Sequence, residues 1–472
     1  MPAIFSIVVF STVFIFLIVK NSNNTQGNLQ VSPQDYLYNE KFGETKPYDN
    51  SDISSIGFVT NIRVNQIPGV SEPKIVCSPI DKNILVISSN NFNQNKNSAQ
   101  IFISKDAGIN WKASEIPLSQ KFKNSSYTDS YVDYDSDGNL LYVSVQFDLN
   151  NDFREGIFFA KSSDNGNTWK TDFNFIDYNG KENIELDRPK IYVDKFSETK
   201  NVIFVTWIEV KGITSFIMFS KSSDGGDTFT APMQVEKNDV QYSSLNTNSK
   251  GDLFLTFLKE ESKIFVKKSI DGGVSWVNSK QYIKINPAGV KTENHFVIKN
   301  SLKKGIRINS EPSTVISKNG DLLLTYSARG EGNDLADIFF AKLNINTGDY
   351  TKPIRVNNDN TSCDQFLPAI TIDERNDIVI MYQDSRNDIN NIQTETYVSV
   401  LSDGGLKFYN EKISTHDFNA RQVSVEQYIG DYNSCLFSGD KFVGVWTDGR
   451  NSNLDIYAGT FSIKEFIENM NH

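Results

Sequence analysis

Four short strings recur along this chain: ISKDAGINW (103–111), KSSDNGNTW (161–169), KSSDGGDTF (221–229) and KKSIDGGVSW (267–276). Their aspartates, Asp106, Asp164, Asp224 and Asp271, lie 58, 60 and 47 residues apart. A tight turn needs Gly and Asp somewhere. It does not need Ser, Asp, Gly and an aromatic at fixed offsets four times. Repetition at this period marks a small structural unit that buries its apolar faces only by stacking on copies of itself. Two weaker copies, KLNINTGDY (342–350) and LSDGGLKF (401–408), extend the series.

The text around the boxes repeats as well. A strand-like run precedes each box (AQIFIS, GIFFAK, FIMFSK, KIFVKK, DIFFAK, TYVSVL), and a second lies before that, as in NVIFVTWIE or DIVIMYQD. An earlier run opens the unit, often on proline (SEPKIVCS, DRPKIYVD, SEPSTVIS, FLPAITID), and a more polar one follows the box. Each unit therefore reads as a four-stranded antiparallel meander with the box in its last turn. Units begin near residues 71, 130, 187, 241, 310, 365 and 428. An all-β propeller of seven four-stranded blades is the architecture that such units predict. The last unit lacks a fourth strand, and NIRVN (61–65) echoes PIRVN (353–357), the fourth strand of the fifth unit. An N-terminal strand is expected to complete the last blade and close the ring.

Composition narrows the function. The formal net charge of −11 offers no basic footprint for a nucleic-acid backbone. Three cysteines and three histidines, all far apart, supply neither a disulfide framework nor a metal site or catalytic triad, and no cofactor motif is present. Residues 1–20 hold an apolar run (2–19) long enough for a membrane span, read as an export signal retained as an anchor. Residues 21–57 read as a polar tether, 58–462 as the propeller and 463–472 as a C-terminal tail with a short helix. This arrangement implies an extracellular, cell-surface or periplasmic domain attached to a membrane. Asn-x-Ser/Thr strings at Asn23, Asn124 and Asn360 fit secretion.

The S-x-D-x-G-x-x-W/F pattern resembles the Asp-box, or bacterial neuraminidase repeat, of the sialidase superfamily, across about 60–462. The resemblance implies a propeller, with six blades as the alternative because sialidases have six. It also implies an exo-glycosidase that acts on sialic-acid-type or other glycans through a Tyr nucleophile paired with Glu. An Asp acid/base and three arginines that hold the substrate carboxylate complete that plan. Xyloglucan-cleaving enzymes and sortilin-like receptors share the box, so a non-catalytic glycan- or protein-binding scaffold is the rival reading. The family's Phe-Arg-Ile-Pro string has Ile62-Arg63-Val64-Asn65 in its place, and Arg355 sits in the same context as Arg63.

In an antiparallel meander the starts of first strands and the ends of second strands share one mouth of the channel, opposite the box turns. The first-strand starts offer Glu72, Asp187, Arg188, Glu311, Asp364, Gln365, Glu426 and Tyr428. The second-strand ends offer Asp148, Trp207, Glu209, Tyr326, Arg329, Tyr382, Asp384, Arg386, Trp446, Asp448 and Arg450. For a glycosidase, Tyr326, Tyr382 or Tyr428 is the candidate nucleophile, beside Glu209 or Glu311, with Asp187 or Glu72 as acid/base. Arg188, Arg329, Arg386 and Arg450 are the candidate carboxylate clamp. The copied strings YQDSRN (382–387) and WTDGRN (446–451) also fit a repeated Asp–Arg lock within a loop.

Overall fold

A computed structural model describes residues 53–91, 100–115, 125–148, 155–170, 174–179, 184–195, 201–279, 281–292, 295–298, 305–402, 407–423 and 428–470. The apolar run 2–19, Asn23, Asn124 and Glu426 lie outside the described residues. Among the described residues no helix is long and apolar enough to cross a membrane, and Cys77, Cys363 and Cys435 are free thiols.

The chain is all-β and propeller-like. Among the described residues its strands form eight antiparallel sheets, seven of them built on four strands, in chain order in six and with three consecutive strands in the seventh. The first strands of the seven are Val70–Cys77, Ser125–Tyr134, Ile184–Val193, Val240–Thr247, Ser313–Ile316, Gln365–Ile372 and Ser434–Ser438. Each packs beside the next, and the seventh packs beside the first. The second strands are sandwiched between neighbouring sheets, so they read as continuous apolar runs without alternation. Ile203–Lys211 (IFVTWIEVK) is buried on both faces up to its last residue. The fourth strands lie outermost and are half exposed, as in Met233–Lys237. The core is accordingly divided into layers between sheets. One layer joins Val143, Ile157, Leu186, Ile191, Val205 and Trp207.

The seventh sheet takes its fourth strand from the other end of the chain. Val59–Arg63 pairs with Asp455–Ser462, Thr60 facing Thr460 and Arg63 facing Tyr457. Ile53–Ile56, within the stretch read as a tether, adds a fifth strand outside it. The IRVN echo has a physical cause. Arg63 and Asn65 both donate to Asp455, at 3.0 and 2.7 Å, while Arg355 and Asn357 donate to Asp337 at 2.6 and 2.8 Å. Each pair locks a fourth strand to the aspartate that opens the third, so Arg63 serves the sheet. Helix Ile463–Met470 then packs Phe466 against Phe461 and Phe58, with ring centroids 5.5 and 5.9 Å apart.

The four strong boxes share one hydrogen-bond pattern. In the third, the Ser222 hydroxyl donates to Asp224 at 2.7 Å and accepts the Gly226 N–H at 2.8 Å, while Asp224 accepts the Thr228 N–H at 2.9 Å. Hydrogen bonds from Thr228 and Ser222 hold the Asp224 carboxyl down at about 2. Boxes also grip their neighbours: Lys161 donates to the Gly225 carbonyl at 2.9 Å and Lys221 to that of Gly272 at 3.0 Å. This explains why the motif recurs in successive units. Gly226 has φ +96°, and a Cβ there would lie 2.5 Å from the Phe159 ring. Gly226→Ala should therefore destabilise the fold by about 2–3 kcal/mol, a left-handed penalty plus overpacking, read from urea unfolding.

One sheet was not foreseen. Val290–Lys291, Phe296–Ile298 and Ile306–Ile308 form a three-stranded sheet inserted between the fourth and fifth meanders. Its strands are two or three residues long, too short for a period to show.

Candidate active site

In five of the seven first strands the ladder slips at one place: between Ser71 and Lys74, Thr128 and Tyr131, Asp187 and Lys190, Gln241 and Ser244, and Phe366 and Ala369. The residue within each slip has a left-handed backbone: Glu72 (φ 56°), Asp129 (53°), Arg188 (50°), Tyr242 (54°) and Leu367 (53°). Non-glycine residues adopt this conformation at a penalty of order 1–2 kcal/mol each. Bulges re-aim side chains, and four of these five residues enter one buried cluster at the mouth of the ring of first strands.

Arg188 is the hub. Its guanidinium donates to Glu311 at 2.8 Å and to Asp431, lies 3.9 Å from Asp187, and stacks 4.4 Å above the Tyr242 ring. Its backbone N–H donates to Asp129 at 3.2 Å. Arg307, from the inserted sheet, reaches the same Asp431 oxygen and stacks 4.3 Å above the Tyr428 ring. The Tyr428 hydroxyl donates to Glu72, which also accepts from the Asp431 N–H at 2.9 Å and from the Asn90 amide. Asn90 bridges on to Asp129 at 3.2 Å, and Lys190 pairs with Glu311. Glu72 and Arg188 are 1% and 6% exposed, so these interactions operate in a low dielectric.

Burial, reinforced by the Asp431 and Asp129 carboxylates, pushes the Glu72 carboxyl up to about 8, against the pull of Arg188 and Tyr428. Burial would raise Asp431 too, but Arg307 and Arg188 outweigh it and hold that carboxyl below its ordinary range. Burial also raises the Tyr428 phenol well above its usual value. The native state thus keeps a proton on Glu72 that the unfolded chain releases between about pH 4.5 and pH 8. More protons in the folded state mean that stability falls as pH rises through this window, by up to about 1.4 kcal/mol per pH unit. Glu72→Gln, which cannot titrate, should flatten that slope in urea titrations at pH 5 to 8.

The structure sorts the residues proposed from sequence. Arg188, Asp187, Tyr428, Glu72 and Glu311 come together. Tyr326 does not: it is buried between sheets, stacked on Phe339 with ring centroids 5.8 Å apart. Trp207, Tyr382 and Trp446 occupy the corresponding place in their own second strands, all buried, because that position of the pleat faces the neighbouring sheet. Glu209 is buried beside Lys211 and Asp177, away from the cluster. Arg386 forks onto Asp384 (2.8 and 2.7 Å) and lies 4.4 Å above the Tyr397 ring. Arg450 repeats this on Asp448 (2.9 and 2.7 Å) and Tyr457 (3.9 Å). Both arginines are loop locks of the repeat. Arg329 is exposed beyond Leu322–Ala328, its N–H donating to the Asn286 carbonyl at 2.9 Å. The four arginines therefore do not converge, because three of them leave second strands outside the bulges that aim Arg188.

Asp129, Tyr242, Asn90, Asp431 and Arg307 belong to the cluster and were not proposed from sequence. Asp129 and Tyr242 hold the unit position of Glu72 and Arg188, so superposing the units would have exposed them. Arg307 lies in the insertion, outside any repeat. Among the described residues no group of three or more His, Cys, Asp or Glu is placed to hold a metal ion.

No protein-family model and no curated protein matches this chain. Among solved structures it is similar to a protein of unknown function from Dyadobacter fermentans (12% identity, 72% of this chain and 95% of that one, TM-score 0.45). It is similar also to the GH93 alpha-L-arabinofuranosidase of Fusarium graminearum (14%, 72% and 94%, 0.44). A third is the Trypanosoma rangeli sialidase (13%, 84% and 55%, 0.40). Likenesses this distant carry no inference about reaction or ligand.

Proposed function

We propose that this chain is a glycoside hydrolase of the sialidase-like plan on a seven-bladed propeller closed by its N-terminal strand. The cyclic packing of the first strands and the pairing of Val59–Arg63 with Asp455–Ser462 support the architecture. The box pattern supports the family resemblance, and the apolar run 2–19 fits an exported, membrane-held domain. The observation that carries the chemistry is the hydrogen bond from Tyr428 to Glu72, set between the guanidiniums of Arg188 and Arg307.

In this reading the Tyr428 oxygen attacks the anomeric carbon as its bond to the leaving oxygen breaks. The phenolic proton passes to the Glu72 carboxylate, and Asp187 in its acid form protonates the leaving oxygen. Water then cleaves the tyrosyl glycoside, with Asp187 taking the water's proton and Glu72 returning one to Tyr428. Arg188 and Arg307 exchange Asp431 for a carboxylate of the sugar. Since Glu72 must be ionised to act and its carboxyl lies near 8, kcat/KM should rise with pH through that region.

A non-catalytic glycan- or protein-binding face is the second reading, favoured by one observation: every arginine proposed for the clamp, except Arg329, already rests on a protein carboxylate. A fluorogenic panel of sialosides, uronides, arabinofuranosides and neutral hexosides separates the two. Release from an acidic sugar supports the proposal. Release only from a neutral sugar keeps the dyad and removes the clamp. No release from folded protein supports the binding face.

A further inference from the structure

Beside the cluster, and sharing Lys190, Glu311 and Asp431 with it, the first strands line a partly open cavity of about 110 Å³. Its wall is a layer of matched positions. Lys74, Tyr131, Lys190, Ser244 and Ala369 each resume the ladder after the bulge in their strands, while Ser313 and Ser434 open theirs. All seven line the cavity.

The wall carries two lysines and two carboxylates, and they do not all pair with one another. Glu311 is held by Arg188 and Lys190, and Asp431 by Arg188 and Arg307. Lys74 is the one charged side chain of the lining with no ion pair among the described residues. It lies 4.8 Å from the centre of the Tyr131 ring, which Lys190 also approaches, at 5.9 Å. Two ammonium groups thus share one aromatic ring, and only one has a carboxylate. Lys74 is half-buried, and a cation drawn partly out of water favours a counter-charge beside it.

Serine hydroxyls line the same cavity as Lys74. Ser313 accepts the Ile370 N–H at 3.2 Å and Ser434 the Ile75 N–H at 3.3 Å. An accepting hydroxyl keeps its own hydrogen to give, and neither hydroxyl donates to a described residue. Ser244 shares its hydroxyl with Thr314 at 2.8 Å. An ammonium with no ion pair and serine hydroxyls on one lining make a donor set without an acceptor.

We propose that the channel cavity binds one small monovalent inorganic anion between Lys74 and the Ser313 and Ser434 hydroxyls, joining the first, fifth and seventh sheets through their first strands. The site does not depend on the Tyr428–Glu72 chemistry, because neither residue lines it.

The probe is bromide. Melting of the purified full chain is followed against sodium bromide, with sodium gluconate, a much larger organic anion, at equal ionic strength. Ligand that binds only the native state raises Tm, so a saturable rise specific to bromide is expected. Lys74→Met should weaken the apparent bromide affinity at least tenfold, and Lys74→Arg should keep it. Ser434→Ala, a milder change, should weaken it severalfold and serves if Lys74→Met does not fold. Equal responses to bromide and gluconate in the wild type would overturn the proposal, as would a bromide response unchanged in Lys74→Met or in Ser434→Ala.

Discussion

Arg188→Ala should lower the unfolding free energy by about 3–5 kcal/mol, the effect expected when one partner of a buried ion-pair network is removed. Arg188 is 6% exposed and contacts Glu311 and Asp431, themselves buried, while its guanidinium covers the Tyr242 ring. Its loss leaves two carboxylates in low dielectric with Lys190 and Arg307 as their remaining cations. Arg188 is one of the two cations that hold the Asp431 carboxyl below its ordinary range, so its removal should raise that carboxyl and make the deficit smaller at lower pH. Urea unfolding of wild type and variant at pH 5 and pH 8 measures both points. A deficit below about 1 kcal/mol at pH 8 would show that the network is solvated and Arg188 is not its hub. Arg450→Ala is a useful contrast, since it strips a loop lock from Asp448 and leaves the channel mouth intact.

Tyr428→Phe should abolish turnover, by about 10³-fold or more, while leaving the protein folded. The change removes the one oxygen proposed to form the covalent bond and keeps the ring that Arg307 stacks on at 4.3 Å. Phe also removes a donor to Glu72, which still accepts from Asn90 and the Asp431 N–H. Stability should therefore move by only about 1 kcal/mol. A purely structural tyrosine predicts the reverse, an unaltered rate with the same small loss of stability. Tyr326→Phe is the control: that hydroxyl sits in the core between sheets and should be silent in the assay.

The repeat made the scaffold legible. The box spacing, the proline-led first strands and the IRVN echo located the meanders and the strand that joins the last sheet, because each feature repeats for one physical reason. The candidate site was legible only in part, for the opposite reason. Glu72, Asp187, Arg188, Glu311 and Tyr428 were found from strand ends, but a strand end does not say which way a side chain points. Tyr326, Arg386 and Arg450 stand on the same mouth in sequence and turn into sheets or loops, whereas a bulge aims Arg188 inward. A one-residue slip reverses the face of every side chain beyond it, and slips such as Asp187/Lys190 leave no composition signal. Arg307 and Asp431 were missed because one lies in an insertion and the other where the seventh unit departs from the pattern.

The most direct test of the Tyr428–Glu72 centre is to trap its covalent intermediate. The full chain would be incubated with a fluorinated glycosyl donor of the class it turns over, then digested and mapped by mass spectrometry. The account predicts one added sugar on the peptide that carries Tyr428, absent in Tyr428→Phe. A sugar on Glu72, Asp187 or any other carboxylate, or turnover with no adduct at all, would contradict it.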